Sequence, residues 1–167
     1  MSNQNNGDTW NNGDTRNAQG TPDTHGIPDT HGIPDTHGSH DTRTTRHLTV
    51  ADVTALATLA FGGRPPEARE PGLLASAVHR PRARMFGTAA YDDLYEQAAA
   101  LLHALAANHP LVDGNKRTAW LATATFLALN GVDLAGADQD TAYALVIDVA
   151  AGTQSDIGVI AGRLRGL

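Results

Sequence analysis

The stretch Asn115 to Leu129, NKRTAWLATATFLAL, constrains the fold more than any other part of the chain. Past Arg117 it is apolar on nearly every side, and Asn130-Gly131 closes it with a residue suited to a left-handed cap. A helix of that kind has to be surrounded, so the segment predicts a place in the middle of a helical bundle.

The remaining segments supply its neighbours. Thr49 with Asp52 forms a helix-start signature, followed by Val50, Val53, Leu56, Ala57 and Ala60 at helical spacing until Gly62-Gly63. A Pro-rich link from Arg64 to Pro71 leads to a short helix, Leu73 to His79, ended by Pro81. Asp92 or Asp93 starts a further helix whose Leu94, Ala98, Leu101, Leu102 and Leu105 share one face, running to about Asn108. Asp138 or Asp140 precedes a helix through Val149, and Ser155 opens a last one through Leu164. Strand periodicity is almost absent. The expectation is an all-α domain of about six helices over residues 47–167.

Residues 1–46 differ in kind. Their six-residue repeat, NNGDTW and NNGDTR and then TPDTHG and IPDTHG, holds almost no bulky apolar side chains, so burial cannot offset the entropy of ordering it. An unstructured tail is expected. Its His25, His31, His37 and His40, with His47 at the edge, are spaced for a weak metal site at best, and a flexible repeat expanded by duplication is the simpler reading.

Composition excludes several classes. With no cysteine there is neither a disulfide framework nor a thiolate zinc site. A net charge of −6 argues against direct nucleic-acid binding, which draws its affinity from basic surfaces. The opening MSNQNNGDTW lacks the basic and apolar parts of a secretory signal, and no apolar run reaches membrane-spanning length, so a cytoplasmic protein without a membrane segment is expected. Of the 12 basic residues, 11 are arginines, and the single lysine is Lys116.

That lysine lies in HPLVDGNKRTAW, His109 to Trp120. A glycine at a helix start, exposed backbone amides, a lysine and an arginine make an anion receptor, because the orphan N–H groups and the helix dipole both favour phosphate. Asp113 offers the oxygen ligand that Mg²⁺ prefers, and Mg²⁺ arrives with nucleotide phosphates. His109, across the turn, is placed to act as a general base near neutral pH. Singly each residue has an ordinary reading: a helix-end histidine, an Asp-Gly turn, a solvated first helical turn. The combination is not a Walker loop, since Asn108 to Val112 hold no glycine and Arg117, not Ser or Thr, follows the lysine.

The motif resembles the signature of the Fic/DOC family, and within it the Doc branch, which has lysine where classical Fic proteins have a second glycine. The similarity extends through GLLASAVHRP at residues 72–81, DLYEQAAALLHALAANHP and TATFLALNG, covering most of residues 47–152. By that resemblance His109 would take the proton from an attacking hydroxyl of a target protein and Asp113 would hold Mg²⁺. Gly114 and Asn115 would form the oxyanion-binding turn, and Lys116 and Arg117 would contact the phosphates of ATP. The stretch from Arg80 to Ala89, with Arg82, Arg84 and Met85, would be the flap that pairs with a target segment; an ordinary basic surface loop is the alternative.

Three positions depart from the classical Fic pattern. Lys116 fills the second-glycine position, Trp120 stands in for the second arginine, and Leu111 replaces a phenylalanine that anchors the loop. The first two favour an inverted nucleotide with its γ-phosphate presented, as in Doc-type toxins associated with phosphorylation of translation elongation factor Tu. The resemblance thus implies an ATP-dependent protein kinase that inhibits translation, with a protein adenylyltransferase or an inactive partner-binding module as alternatives. The smaller leucine places loop rigidity in question. The inhibitory string of some Fic proteins, Ser or Thr followed four residues on by Glu and then Gly or Asn, does not occur in the N-terminal part or the last helix. Inhibition in trans by a small antitoxin is therefore expected.

Overall fold

The computed structural model describes residues 44–167; the repeat and its His25, His31, His37 and His40 lie outside the described residues. Six helices follow in order: α1 (Val50–Ala60), α2 (Pro71–His79), α3 (Leu94–Ala107), α4 (Asn115–Leu129), α5 (Gln139–Ala151) and α6 (Ile157–Arg165). The all-α architecture expected from the periodicity is observed. The starts are set by the signals read above. Thr49 and Asp52 form a reciprocal capping box on α1, while Asp93 caps α3 and Asp138 caps α5. Asp156, one residue beyond the expected Ser155, caps α6 by accepting from the Val159 amide.

One placement differs from expectation. The fully buried positions of α4 (Thr118, Ala119, Ala122, Thr123, Phe126 and Leu127) recur three and four apart and form a stripe, whereas α3 is buried all round over Ala98–Leu102 and Ala104–Ala106. The central helix is therefore α3, which packs against α2, α4, α5 and α6. Its alanines explain both the packing and the misreading. They let neighbouring backbones approach from every side, yet a pattern read from leucines registers only one face. Phe126, Leu101, Leu105, Leu145, Ile160 and Leu164 fill the space around them, each contributing about 1.5–3 kcal/mol of burial.

Between α2 and α3 the chain forms a 3₁₀ turn (Arg80–Arg82) and a small antiparallel hairpin of β1 (Arg84–Met85) and β2 (Thr88–Ala89), with Arg84 opposite Ala89 and Met85 opposite Thr88. Phe86 and Gly87 make the two-residue turn, both at positive φ (51° and 85°). Arg46, assigned to the tail by sequence, is already tied to α4: its amide donates to Asn130 Oδ1 at 2.8 Å and its carbonyl accepts from Asn130 Nδ2 at 2.9 Å. Among the described residues no helix is long and apolar enough to cross a membrane.

Two histidines packed into this bundle make its stability pH-dependent. Burial, and then the charge of Arg80, holds His103 below the ordinary histidine value of 6.5; burial and then Arg82 act the same way on His47, which stacks on Phe126. The unfolded chain therefore takes up protons before the native one does. Stability is complete above about pH 6.5 and declines as pH falls from there toward the native pKa values. Urea unfolding at pH 7.5 and 5.5 is expected to show this loss and a weaker one in His103→Gln; an equal loss in both proteins would refute the assignment to His103.

Candidate active site

The loop between α3 and α4 is held from three sides. Its Pro110–Val112 stretch runs antiparallel to the Pro-rich link: the Arg69 amide donates to the Pro110 carbonyl and the Val112 amide to the Glu67 carbonyl, both at 2.9 Å. Leu111, 1% exposed, is sunk in the core, so the leucine does anchor the loop. Asn115, itself buried, closes the third side. Its Oδ1 accepts from the Leu111 amide (2.9 Å) and its Nδ2 donates to the Leu111 carbonyl (2.8 Å). The Asn115 side chain is thus spent on holding the loop, which leaves its backbone amide as the part able to serve an anion.

His109 follows the end of α3 with φ +46°, a left-handed conformation that costs a non-glycine residue about 1–2 kcal/mol. Its ring Nδ1 lies 2.9 Å from the Ala107 carbonyl oxygen. A carbonyl only accepts, so Nδ1 carries a proton, and in the neutral ring it is Nε2 that keeps its lone pair, the arrangement a general base requires. Gly114 starts α4 in the left-handed region, φ 72°, and its amide donates to Asp113 Oδ1 at 2.6 Å. Arg117 donates from Nη1 to the Ala60 carbonyl (3.2 Å) at the end of α1 and lies 5.4 Å over the Phe61 ring. Cation and helix C-terminus attract, so this guanidinium is placed rather than loose.

His109, Asp113, Gly114, Asn115, Lys116 and Arg117 line one cavity of about 360 Å³, within the ordinary size range of ligand sites. Arg69 and Tyr143 complete its wall. Three cations against one carboxylate give it a positive character within an acidic chain. Among the described residues no cluster of three or more His, Asp or Glu is arranged to hold a metal. A lone carboxylate suits a cation that keeps water and phosphate oxygens as its other ligands, which is how Mg²⁺ is usually held.

The flap residues lie elsewhere. Arg82 donates to the Leu48 carbonyl (2.9 Å), and Arg84 reaches the Gly87 carbonyl with Nε (3.2 Å) and Nη2 (2.6 Å), bracing its own hairpin. Met85 is exposed, and beside it Phe86 is fully so at the tip. Arg69, Phe61 and Tyr143 were not legible as site residues. Arg69 reads as one more charge in a proline-rich link, Phe61 as the end of a helix, and Tyr143 as an outward position on α5.

A helical bundle that carries a His-Pro to Gly-Asn-Lys-Arg loop over a cationic cavity, with a short hairpin beside α2, is a defined class of domain. The chain belongs to the Fic/DOC family, whose model matches residues 47–127. It is 49% identical over 123 residues to Toxin Doc of Mycolicibacterium smegmatis, a match covering 73% of this chain and 93% of that protein. It is also 35% identical over 94 residues to Protein kinase doc of Escherichia phage P1, covering 53% of this chain and 71% of that one.

Proposed function

We propose that this chain is a Doc-type toxin that transfers the γ-phosphate of ATP to a hydroxyl of a target protein, and that the target is translation elongation factor Tu in the same cytoplasm. The observation that carries the reading is His109: its Nδ1 bonds to the Ala107 carbonyl, which makes Nε2 the basic nitrogen of the neutral ring, on a residue that lines a cavity made cationic by Lys116 and Arg117. A relative named a protein kinase and another named a toxin support the same choice.

In the proposed reaction the target hydroxyl oxygen bonds to the γ-phosphorus while the bond from that phosphorus to the β,γ-bridging oxygen breaks. ADP leaves with the electron pair, and the hydroxyl proton passes to His109 Nε2. The amide turn at Gly114 and Asn115, with Lys116 and Arg117, holds the phosphates in line and balances their charge. Asp113 would hold Mg²⁺, whose charge would further neutralise the phosphates. Arrangement of this kind supplies most of the catalysis in phosphoryl transfer. Met85 and Phe86 on the hairpin, with the main chain of β1 and β2, would hold the target segment by strand pairing. A small antitoxin folding onto the helical surface would supply inhibition in trans.

The test is incubation with ATP labelled at either the α- or the γ-phosphate and purified elongation factor Tu, with His109→Ala alongside. Label entering from the γ position only is the expected result. Entry from the α position only would make the enzyme an adenylyltransferase, and no entry from either would favour the partner-binding module.

A further inference from the structure

Residues 84–90, the hairpin between α2 and α3, are all exposed, and each of its strands has only two residues. So small a hairpin has little stability of its own in water. Its position is therefore set at the neck, where its two ends leave the bundle. One main-chain bond joins them there, from the Ala90 amide to the Ala83 carbonyl at 2.8 Å. Arg80 closes the neck outside that bond. Its Nε donates to the Tyr91 hydroxyl oxygen at 3.1 Å, so a residue from before the hairpin holds one from after it. The same guanidinium turns its Nη1 to His103 Nδ1 on α3, at 3.4 Å. An arginine only donates, so this Nδ1 is the acceptor. Gln97, six residues earlier on α3, donates from Nε2 to the Tyr91 carbonyl at 3.4 Å. Helix α3 thus holds both ends of the neck, and the same helix ends two residues before His109.

The geometry points to Arg80, Tyr91 and His103 as positioning residues for the protein substrate. They fasten the hairpin to the buried helix that leads into His109, so that a target segment paired with the hairpin is presented to the base in one orientation. This rests on the reading of the hairpin as the target's docking strand and deepens it. Tyr91 and His103 line neither the phosphate cavity nor the one beside it. With the clasp open, the hairpin spends only part of its time in the competent orientation, and the target's apparent affinity falls by that fraction. Transfer from the bound complex is unaltered.

The experiment uses the full chain with two substitutions. Tyr91→Phe removes the acceptor oxygen and keeps the ring, which guards against a folding artefact, and His103→Leu removes the other acceptor. Initial rates of transfer from γ-labelled ATP to purified elongation factor Tu give KM and kcat, and amide hydrogen exchange reads the hairpin directly. One hydrogen bond at a partly exposed site shifts an equilibrium by roughly three- to tenfold. Each variant is therefore expected to raise KM for the target by about that factor, with kcat and ATP affinity within about twofold of wild type. Exchange of the Ala90 amide should quicken to a similar extent, while that of the Leu111 amide in the phosphate loop stays unchanged. His103→Asn, which keeps an acceptor where Nδ1 stands, should restore KM and exchange to within about twofold of wild type. Unchanged KM in both Tyr91→Phe and His103→Leu, or a KM rise matched by an equal loss of ATP affinity, would overturn the positioning role while sparing the kinase. Failure of the wild type to transfer label to the target would instead remove the proposed function, and the positioning role with it.

Discussion

His109→Ala is expected to lower the rate of phosphoryl transfer by about 10²- to 10⁴-fold, the usual contribution of a positioned general base, with ATP affinity changed little. The separation follows from the geometry. The phosphate-binding groups are the amide turn at Gly114 and the cations at Lys116 and Arg117, and none of them is held by the imidazole. What the imidazole contributes is Nε2, which its partner nitrogen's bond to Ala107 makes the basic nitrogen of the neutral ring. Alanine at φ +46° carries much the same backbone strain as histidine, so it should fold comparably. A sharper companion is His109→Asn. Asparagine tolerates the left-handed conformation, and its amide is able to donate to the Ala107 carbonyl, yet it has no basic nitrogen. It is expected to be at least as stable as the wild type and as inactive as the alanine variant. Rapid-quench measurement of transfer to the target reads the rate, and titration with ATP reads the affinity. Either variant retaining a tenth or more of the wild-type rate would remove His109 from the role of base.

How far the site could be read from sequence depends on what each residue answers to. Local signals were sufficient for the helices. The Thr49–Asp52 box, the Asp93 and Asp138 caps and the Gly131 stop act within one turn, and each lies where the pattern put it. The loop residues from His109 to Arg117 were legible for the same reason: they are consecutive, and their convergence needs only one helix to end and the next to begin. Residues brought in from a distance were not. The 67–69 stretch reads as a plain connector until its pairing with Pro110–Val112 is seen. Nor did spacing alone show that the Asn115 side chain, in the turn read as anion-binding, clamps Leu111 four residues back. The hairpin escaped notice because its turn is Phe86-Gly87, where the phenylalanine takes a positive φ usually left to Asn, Asp or Gly. The first of these contacts is nonlocal, while the Asn115 clamp and the hairpin turn are local choices of rotamer and backbone, and no periodicity encodes any of them.

The second large effect is expected at Gly114, where two independent constraints meet. Its φ of 72° would cost any L-residue about 1–2 kcal/mol. A Cβ there would also run into the Phe61 ring, whose Cζ, Cε2 and Cε1 occupy the space it needs. Phe61 is only half-buried, so the ring can swing aside. It would then leave Arg117, whose guanidinium it supports at 5.4 Å, a loss of about 0.5–1 kcal/mol. Gly114→Ala is therefore expected to destabilise the domain by about 1.5–3 kcal/mol, the strain and the lost contact together. It should also slow transfer by about 10- to 100-fold, because an ångström's shift of a positioning group has effects of that order. The two causes separate in a double-mutant cycle with Phe61→Ala. With the ring already gone, adding Gly114→Ala should cost only the backbone strain, so the double variant should be more stable than the sum of the singles predicts by about 0.5–1 kcal/mol. Urea unfolding of the four proteins measures that coupling. Strict additivity would mean that the glycine is needed for its backbone conformation alone and that Phe61 does not buttress the phosphate loop.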